Sequence, residues 1–320
     1  MSGHDLFQPP WNFLGLPEER SAPDRARGWL LSIPYESTTS YGAGTREGPS
    51  AIIAASRQVE LYDREFGGEA AMEYGIHTTP FLNLEHSSPD AMMQLVEDAV
   101  AQLLTGSPRP EVLGILGGEH SISGGIARGI ARTAGTERLD AVHIDAHADL
   151  RAEYEGSPNS HACAARRILE HCPVFQIGIR NISLGEVEFL SRKRGRKNNV
   201  HTVYTEEAMD PQGRFLKDLA KFVQGKRVYL TVDLDGLDPA IMPAVGTPEP
   251  GGLSWERTLD VARTVCRHAA AVPVFVVVEL APIPGFRGPD FLAAKLVYKL
   301  FSYTLKSGAK GNRKRRGRNG

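Results

Sequence analysis

LDAVHIDAHADLR, residues 139–151, begins as an apolar run and ends with Asp145, His147 and Asp149 on alternate positions. Such a run reads as a buried strand, and residues i, i+2 and i+4 of a strand face the same way. The spacing therefore predicts two carboxylates and an imidazole converging at the carboxyl end of a strand. Outward from this stretch the same pattern recurs in WLLSIPY (29–35), VLGILGG (112–118), VFQIGIR (174–180), RVYLTVDLD (227–235) and VFVVVEL (274–280). Between these lie segments of helical period, PDAMMQLVEDAVAQLL (89–104) and SWERTLDVARTVCRH (254–268). Near-continuous apolar strands interleaved with helices predict an α/β fold, a three-layer αβα sandwich around a central, mainly parallel sheet. That architecture gathers function at the carboxyl ends of the strands.

Composition narrows the class. With 320 residues, 41% of them apolar, the chain can bury a large core. It holds no uninterrupted apolar run of about 18 residues, because AAAVPVFVVVEL is broken by Pro273 and closed by Glu279, so no membrane span is expected. The start, MSGHDLFQPPWNF, lacks the charged and apolar regions of a secretory signal. Cys163, Cys172 and Cys266 form no CxxC pair and fit reduced thiols in a cytoplasmic setting. Neither a repeat nor a Pro/Gly/Ser-rich linker divides the chain, so residues 1–305 are expected to form one catalytic domain. The net charge of −1 hides a basic segment, KSGAKGNRKRRGRNG (306–320), whose seven Lys and Arg leave the rest near −8. Without an apolar face this segment is expected to be disordered, and a role for it in nucleic-acid binding is the weaker reading. An acidic body suits a cationic ligand.

Four of the apolar runs finish in titratable groups: Glu119 and His120; Asp145, His147 and Asp149; Asp233, Asp235 and Asp238; and Glu279. Any one alone would read as a loop or capping residue. Together at one sheet edge they would repel one another without a cation, which makes a metal site the better reading. Two imidazoles and four carboxylates, with no thiolate, favour Mn²⁺ over structural zinc, with Co²⁺, Ni²⁺ or Fe²⁺ as alternatives. Four aspartates balance two divalent cations, and a pair of cations about 3.5–4 Å apart can turn water into a nucleophile at neutral pH. The glycine-rich stretch GAGTREGPSAI (42–52) lacks the lysine and spacing of a phosphate loop and reads as a turn leading into a helix.

GGEHSIS (117–123), DAHADLR (145–151), TVDLDGLDPAIMPAVGTPEPGGLS (231–254) and VVELAPIPG (277–285) together resemble the ureohydrolases, the manganese enzymes that include arginase and agmatinase. The resemblance runs from about residue 32 to the last helix, FLAAKLVYKLFSY (291–303), and it implies for 42–52 a place near the pocket rim as the alternative to a plain turn and helix start. It implies the arginase/deacetylase-like fold and a binuclear manganese centre. His120 and Asp149 would hold one metal, His147 and Asp235 the other, and Asp145 and Asp233 would bridge both. Glu119 stands where aspartate is usual, and Thr231 where serine is. The resemblance also implies that Glu279 pairs with a guanidinium, that Asp149 handles the proton of the attacking water, and that His161, on the loop SPNSHACAARR beside Ser160, shuttles protons. His161 and Ser160 are thus expected at the substrate, while His143 is expected to brace the site rather than to bind metal.

The contacts that arginase makes to an amino acid are missing. Arg151 stands where that subfamily has asparagine, and Ser183 where it has an aspartate that reaches the α-amino group. The remainder resembles agmatinase, which cleaves agmatine to urea and putrescine for polyamine biosynthesis. Arg151 divides the readings: turned into the pocket it would favour a carboxylate-ended guanidine such as guanidinobutyrate or guanidinopropionate; turned toward Glu153 or Glu155 it leaves agmatine. Homo-oligomers, trimers or hexamers, are implied by the same resemblance. A zinc deacetylase and an inactive metal-binding scaffold acting through the basic tail are the competing classes.

Overall fold

The computed structural model describes residues 10–135, 138–192 and 199–316. Its strands are β1 (Gly28–Ile33), β2 (Ile76–Thr78), β3 (Val112–Gly117), β4 (Leu139–Ile144), β5 (Val174–Ile179), β6 (Val200–Tyr204), β7 (Arg227–Asp233) and β8 (Ala271–Val278). The α-helices are α1 (Glu18–Ser21), α2 (Gly48–Ser56), α3 (Ala70–Tyr74), α4 (Pro89–Thr105), α5 (Ile122–Thr133), α6 (Ala164–Leu169), α7 (Leu184–Arg192), α8 (Thr205–Ala208), α9 (Phe215–Val223), α10 (Trp255–His268) and α11 (Gly288–Arg316).

All eight strands pair in parallel in one sheet, in the order β2-β1-β3-β8-β7-β4-β5-β6. The sheet thus meets the expected αβα sandwich and is wholly parallel. Its apolar strands look uniform in sequence, yet alternate residues serve opposite layers. Trp29, Leu31, Leu113 and Ile115 pack with Met92, Val96, Ile126 and Ile168 of α4, α5 and α6. Leu30, Leu116, Phe275 and Val277 pack with Ile52, Val261, Leu296 and Phe301 of α2, α10 and α11. The helices begin where capping chemistry allows: Ser88 accepts from Ala91 N ahead of α4, and Ser254 accepts from Arg257 N ahead of α10. No helix among the described residues is long and apolar enough to cross a membrane.

Phe301 anchors the α11 layer. Its ring meets Phe275 edge-on at 4.8 Å, and a Cβ on Gly114 would come within 2.7 Å of both rings. The glycine thus lets the two aromatics seat against the backbone of β3. Phe301→Ala is expected to cost about 3–5 kcal/mol, read as a lowered midpoint in urea with unchanged slope.

Three expectations change. The edge strands β2 and β6 do not stand out in sequence, because β2 has three residues and β6, VHTVY, carries exposed polar positions. Helix α11 runs on to Arg316, into the segment expected to be disordered; residues 317–320 lie outside the described residues. Once a packed helix exists, each further residue costs only propagation, which Lys and Arg tolerate well. Third, β4 ends at Ile144, so Asp145, His147 and Asp149 do not share a strand face.

Candidate metal centre

The central strands β3, β8, β7 and β4 deliver the polar groups, where the chain order of the sheet reverses. Beyond β4 the backbone leaves the pleat, and its own carboxylates hold the turn. Asp145 Oδ1 accepts from His147 N at 2.6 Å, and Asp235 Oδ1 accepts from Ala146 N at 3.1 Å. Asp149 has φ +51° and Glu279 φ +67°, two of the four non-glycine residues in the left-handed region among the described residues. Such backbone costs about 1–3 kcal/mol and turns each carboxylate sharply off its strand. Asp233 closes β7 and accepts from Asp235 N at 2.8 Å, which places Asp235 in a short 3₁₀ turn, Leu234–Gly236. Arg180, just past β5, staples this turn by donating to the carbonyls of Asp235 and Glu249, each at 2.7 Å. Local carboxylate-to-amide bonds therefore replace strand parity as the cause of convergence.

Two overlapping groups result. His120, His143, Asp145 and Asp149 form one, and Asp145, His147 and Asp235 the other, with Asp145 common to both. His120 Nδ1 lies 3.0 Å from Asp145, 3.1 Å from Asp233 and 3.4 Å from Asp149. His147 Nδ1 lies 2.9 Å from Asp235. The fit to a metal can be judged at His120. Its Nε2 pairs with Thr231 Oγ1 at 2.9 Å, while the buried Nδ1 has no hydrogen-bond partner. A nitrogen lone pair facing three carboxylate oxygens is neutralised only by a proton or a cation, so the donor set fits a cation.

Titration behaviour agrees. Burial pulls the His120 pKa down, but Asp145 and Asp233 outweigh it and hold it well above the usual imidazole range. For His147, burial acts in the same direction, and Asp235 and Asp145 carry the pKa up to about 12. Burial, and then the neighbouring acids, push Asp149, Asp233 and Glu279 well above ordinary carboxylates. Asp145 goes the other way: burial opposes it, yet the surrounding imidazoles of His143, His120 and His147 hold it well below. Without a cation the cluster thus retains protons that a cation would displace.

His143 is held on both sides: Gln176 Nε2 donates to its Nδ1 at 3.0 Å, and its Nε2 donates to Asp145 Oδ2 at 2.7 Å. Glu279 Oε1 accepts from His120 N at 2.6 Å. Asp238 is not part of the cluster; it accepts from Ala240, Gly251 and Gly252 N and shapes the loop after β7.

A cavity of about 210 Å³ is lined by His120, His147, Asp149, Asp233, Asp235 and Glu279 together with Arg151, Tyr154, His161 and Glu186. Ser160 is 1% exposed and is not among the lining residues; its hydroxyl lies 3.3 Å from His161 Nδ1. Arg151 is found against neither Glu153 nor Glu155. Its guanidinium lies over the Tyr154 ring, 4.9 Å from the centroid, a cation–π placement. Burial lowers the His161 pKa below the usual imidazole value.

The 42–52 stretch is both turn and rim. Gly42 N donates to Gly246 O at 3.2 Å, and a Cβ on Gly42 would come within 2.6 Å of that oxygen, so two glycine backbones close one wall of the cavity. Sequence reasoning did not single out Thr38–Tyr41, Tyr154, Asn181 or Glu186. Only Glu186 had a legible signal: Ser183–x–x–Glu186 is a capping-box pattern, and Glu186 indeed accepts from Ser183 N at 2.8 Å and from Leu150 N at 2.8 Å. Ser183 is thereby engaged with the helix start.

The sequence profile of the arginase family matches residues 27–302. An N(1)-aminopropylagmatine ureohydrolase from Synechocystis sp. is 37% identical over 279 residues, 86% of this chain and 88% of that protein. An agmatinase from Bacillus anthracis is 32% identical over 261 residues, 79% of this chain and 83% of its own length. The crystal structure of an agmatine ureohydrolase from Thermoplasma volcanium superimposes with a TM-score of 0.80 at 26% identity, covering 95% of this chain and 97% of that one.

Proposed function

The chain belongs to the arginase family, and from that premise we propose that it hydrolyses agmatine to urea and putrescine. As a member it is a hydrolase of the C–N bond of linear amidines, acting on a guanidino compound. The observation that carries the amine-ended substrate is the cavity wall: among the described residues Arg151 is its single Lys or Arg, with its guanidinium over the Tyr154 ring, while Glu186 adds an acid to the lining. A longer substrate, agmatine bearing an aminopropyl group, is the second reading, favoured by the name of the Synechocystis relative.

The site roles follow. His120 and Asp149 would hold one divalent cation and His147 and Asp235 the other, with Asp145 and Asp233 between them; manganese suits this donor set. Cations there would supply Lewis acidity and activate water near neutral pH. Glu279, buried and charge-complementary, receives the guanidinium N–H groups and orients its carbon. Asp149 takes the proton shed by the attacking water, and His161 carries a proton to the departing nitrogen. The three cysteines are buried free thiols, which supports a reducing, cytoplasmic setting, and a trimer or hexamer is part of the same proposal.

The test measures urea release by the manganese-loaded protein from agmatine, N(1)-aminopropylagmatine, arginine and guanidinobutyrate. Preference for either amine-ended guanidine supports the class and decides between the two readings. Preference for guanidinobutyrate overturns both. Arg151→Ala is expected to change agmatine kcat/KM by less than about fivefold, the reach of a partly solvated charge; loss of agmatine turnover would show that Arg151 holds the substrate.

A further inference from the structure

We propose that Glu119, acting through the Thr38 hydroxyl, fixes the tautomer of His161 so that Nδ1 carries the hydrogen and the Nε2 lone pair is left for the cavity. This inference rests on the proton-carrying role proposed for His161.

The argument is a donor count. Glu119 is fully buried and receives four donors: Ser37 N at 2.7 Å, Thr38 N at 2.6 Å, Thr38 Oγ1 at 2.8 Å and Ser121 Oγ at 2.6 Å. A carboxylate so surrounded has no hydrogen to give. The Thr38 hydroxyl has one hydrogen and two lone pairs. Its hydrogen goes to Glu119, and one lone pair accepts from His161 N at 3.0 Å. The other lies 3.3 Å from His161 Nδ1, where only an N–H avoids lone pair against lone pair. Ser160 Oγ, 3.3 Å from the same nitrogen, gives or accepts with equal ease and sets no preference. Nε2, with Ser40 Oγ 3.5 Å away, is then free to accept a proton at the cavity. Glu119 and Thr38 are positioning residues, since neither lines the cavity.

The test reads the tautomer directly, by two-bond ¹H–¹⁵N correlation of ¹⁵N-histidine in the metal-free full chain, at a pH above the imidazole range. His161 signals are identified by their loss in His161→Asn. The wild type is expected to show Nδ1–H. In Glu119→Gln the amide oxygen can replace the acceptor for Ser37 and Thr38 N, and the NH₂ then donates to Thr38 Oγ1. The Thr38 hydrogen turns to Nδ1, and the tautomer inverts to Nε2–H. Glu119→Asp remains an acceptor and Ser160→Ala removes a neutral neighbour, so both are expected to keep Nδ1–H. An Nε2–H wild type, an unchanged Glu119→Gln, or inversion in Ser160→Ala would overturn the relay. With substrate, Glu119→Gln is expected to lower kcat about 10²-fold with little change in KM, and Glu119→Asp to recover most of it. A wild type that releases no urea sinks the proposed function, yet the tautomer still decides the relay.

Discussion

Asp145→Asn is expected to abolish turnover, by about 10³-fold or more, and to strip the protein of metal. Asp145 is the one residue common to both ligand groups, and its two oxygens also receive His147 N and His143 Nε2. An amide in its place must turn an NH₂ toward one of these donors and removes a full negative charge between His120 and His147. Loss of an outer partner alone typically costs 10–100-fold in metal affinity, so loss of this shared ligand should exceed about 100-fold. Two measurements check it: metal content per chain after dialysis, and unfolding with and without Mn²⁺. At about 100 times its Kd a cation stabilises the wild type by about 2.7 kcal/mol, and the variant should gain little of that. A variant that retains two metals per chain and its turnover would refute the assigned centre.

Glu279→Gln is expected to lower kcat/KM about 10²–10³-fold while leaving the metal content unchanged. The glutamine keeps one oxygen for His120 N, now accepted by Glu279 Oε1 at 2.6 Å, so the turn after β8 has no reason to open. What disappears is the negative charge that meets a guanidinium in the cavity, where low dielectric strengthens such a pair. Urea release and metal analysis on the same preparation separate the two effects. Loss of metal together with activity would make Glu279 part of the metal centre instead, and unchanged activity would remove it from substrate binding.

The sequence by itself determined the architecture and the identity of the polar groups. Apolar runs ending in Glu119–His120, Asp145–Asp149, Asp233–Asp235 and Glu279 are local facts, because strand burial and side-chain chemistry are written residue by residue.

Only the tertiary structure decided how these groups meet. Strand parity suggested convergence, yet the chain leaves the pleat at Asp145 and is turned inward by aspartate-to-amide bonds and two left-handed residues, none of which has a periodic signature. It decided that Arg151 rests on Tyr154, that Ser160 is buried beside His161, and that α11 carries its helix into the basic segment. It also brought Thr38 to His161 across 123 residues and Glu279 to His120 across 159. Pairings over such distances depend on sheet order and on which loops the sheet sets side by side. Neighbouring residues carry that information only weakly, because the entropy of closing so long a loop is met by the packing of the whole core rather than by any local preference.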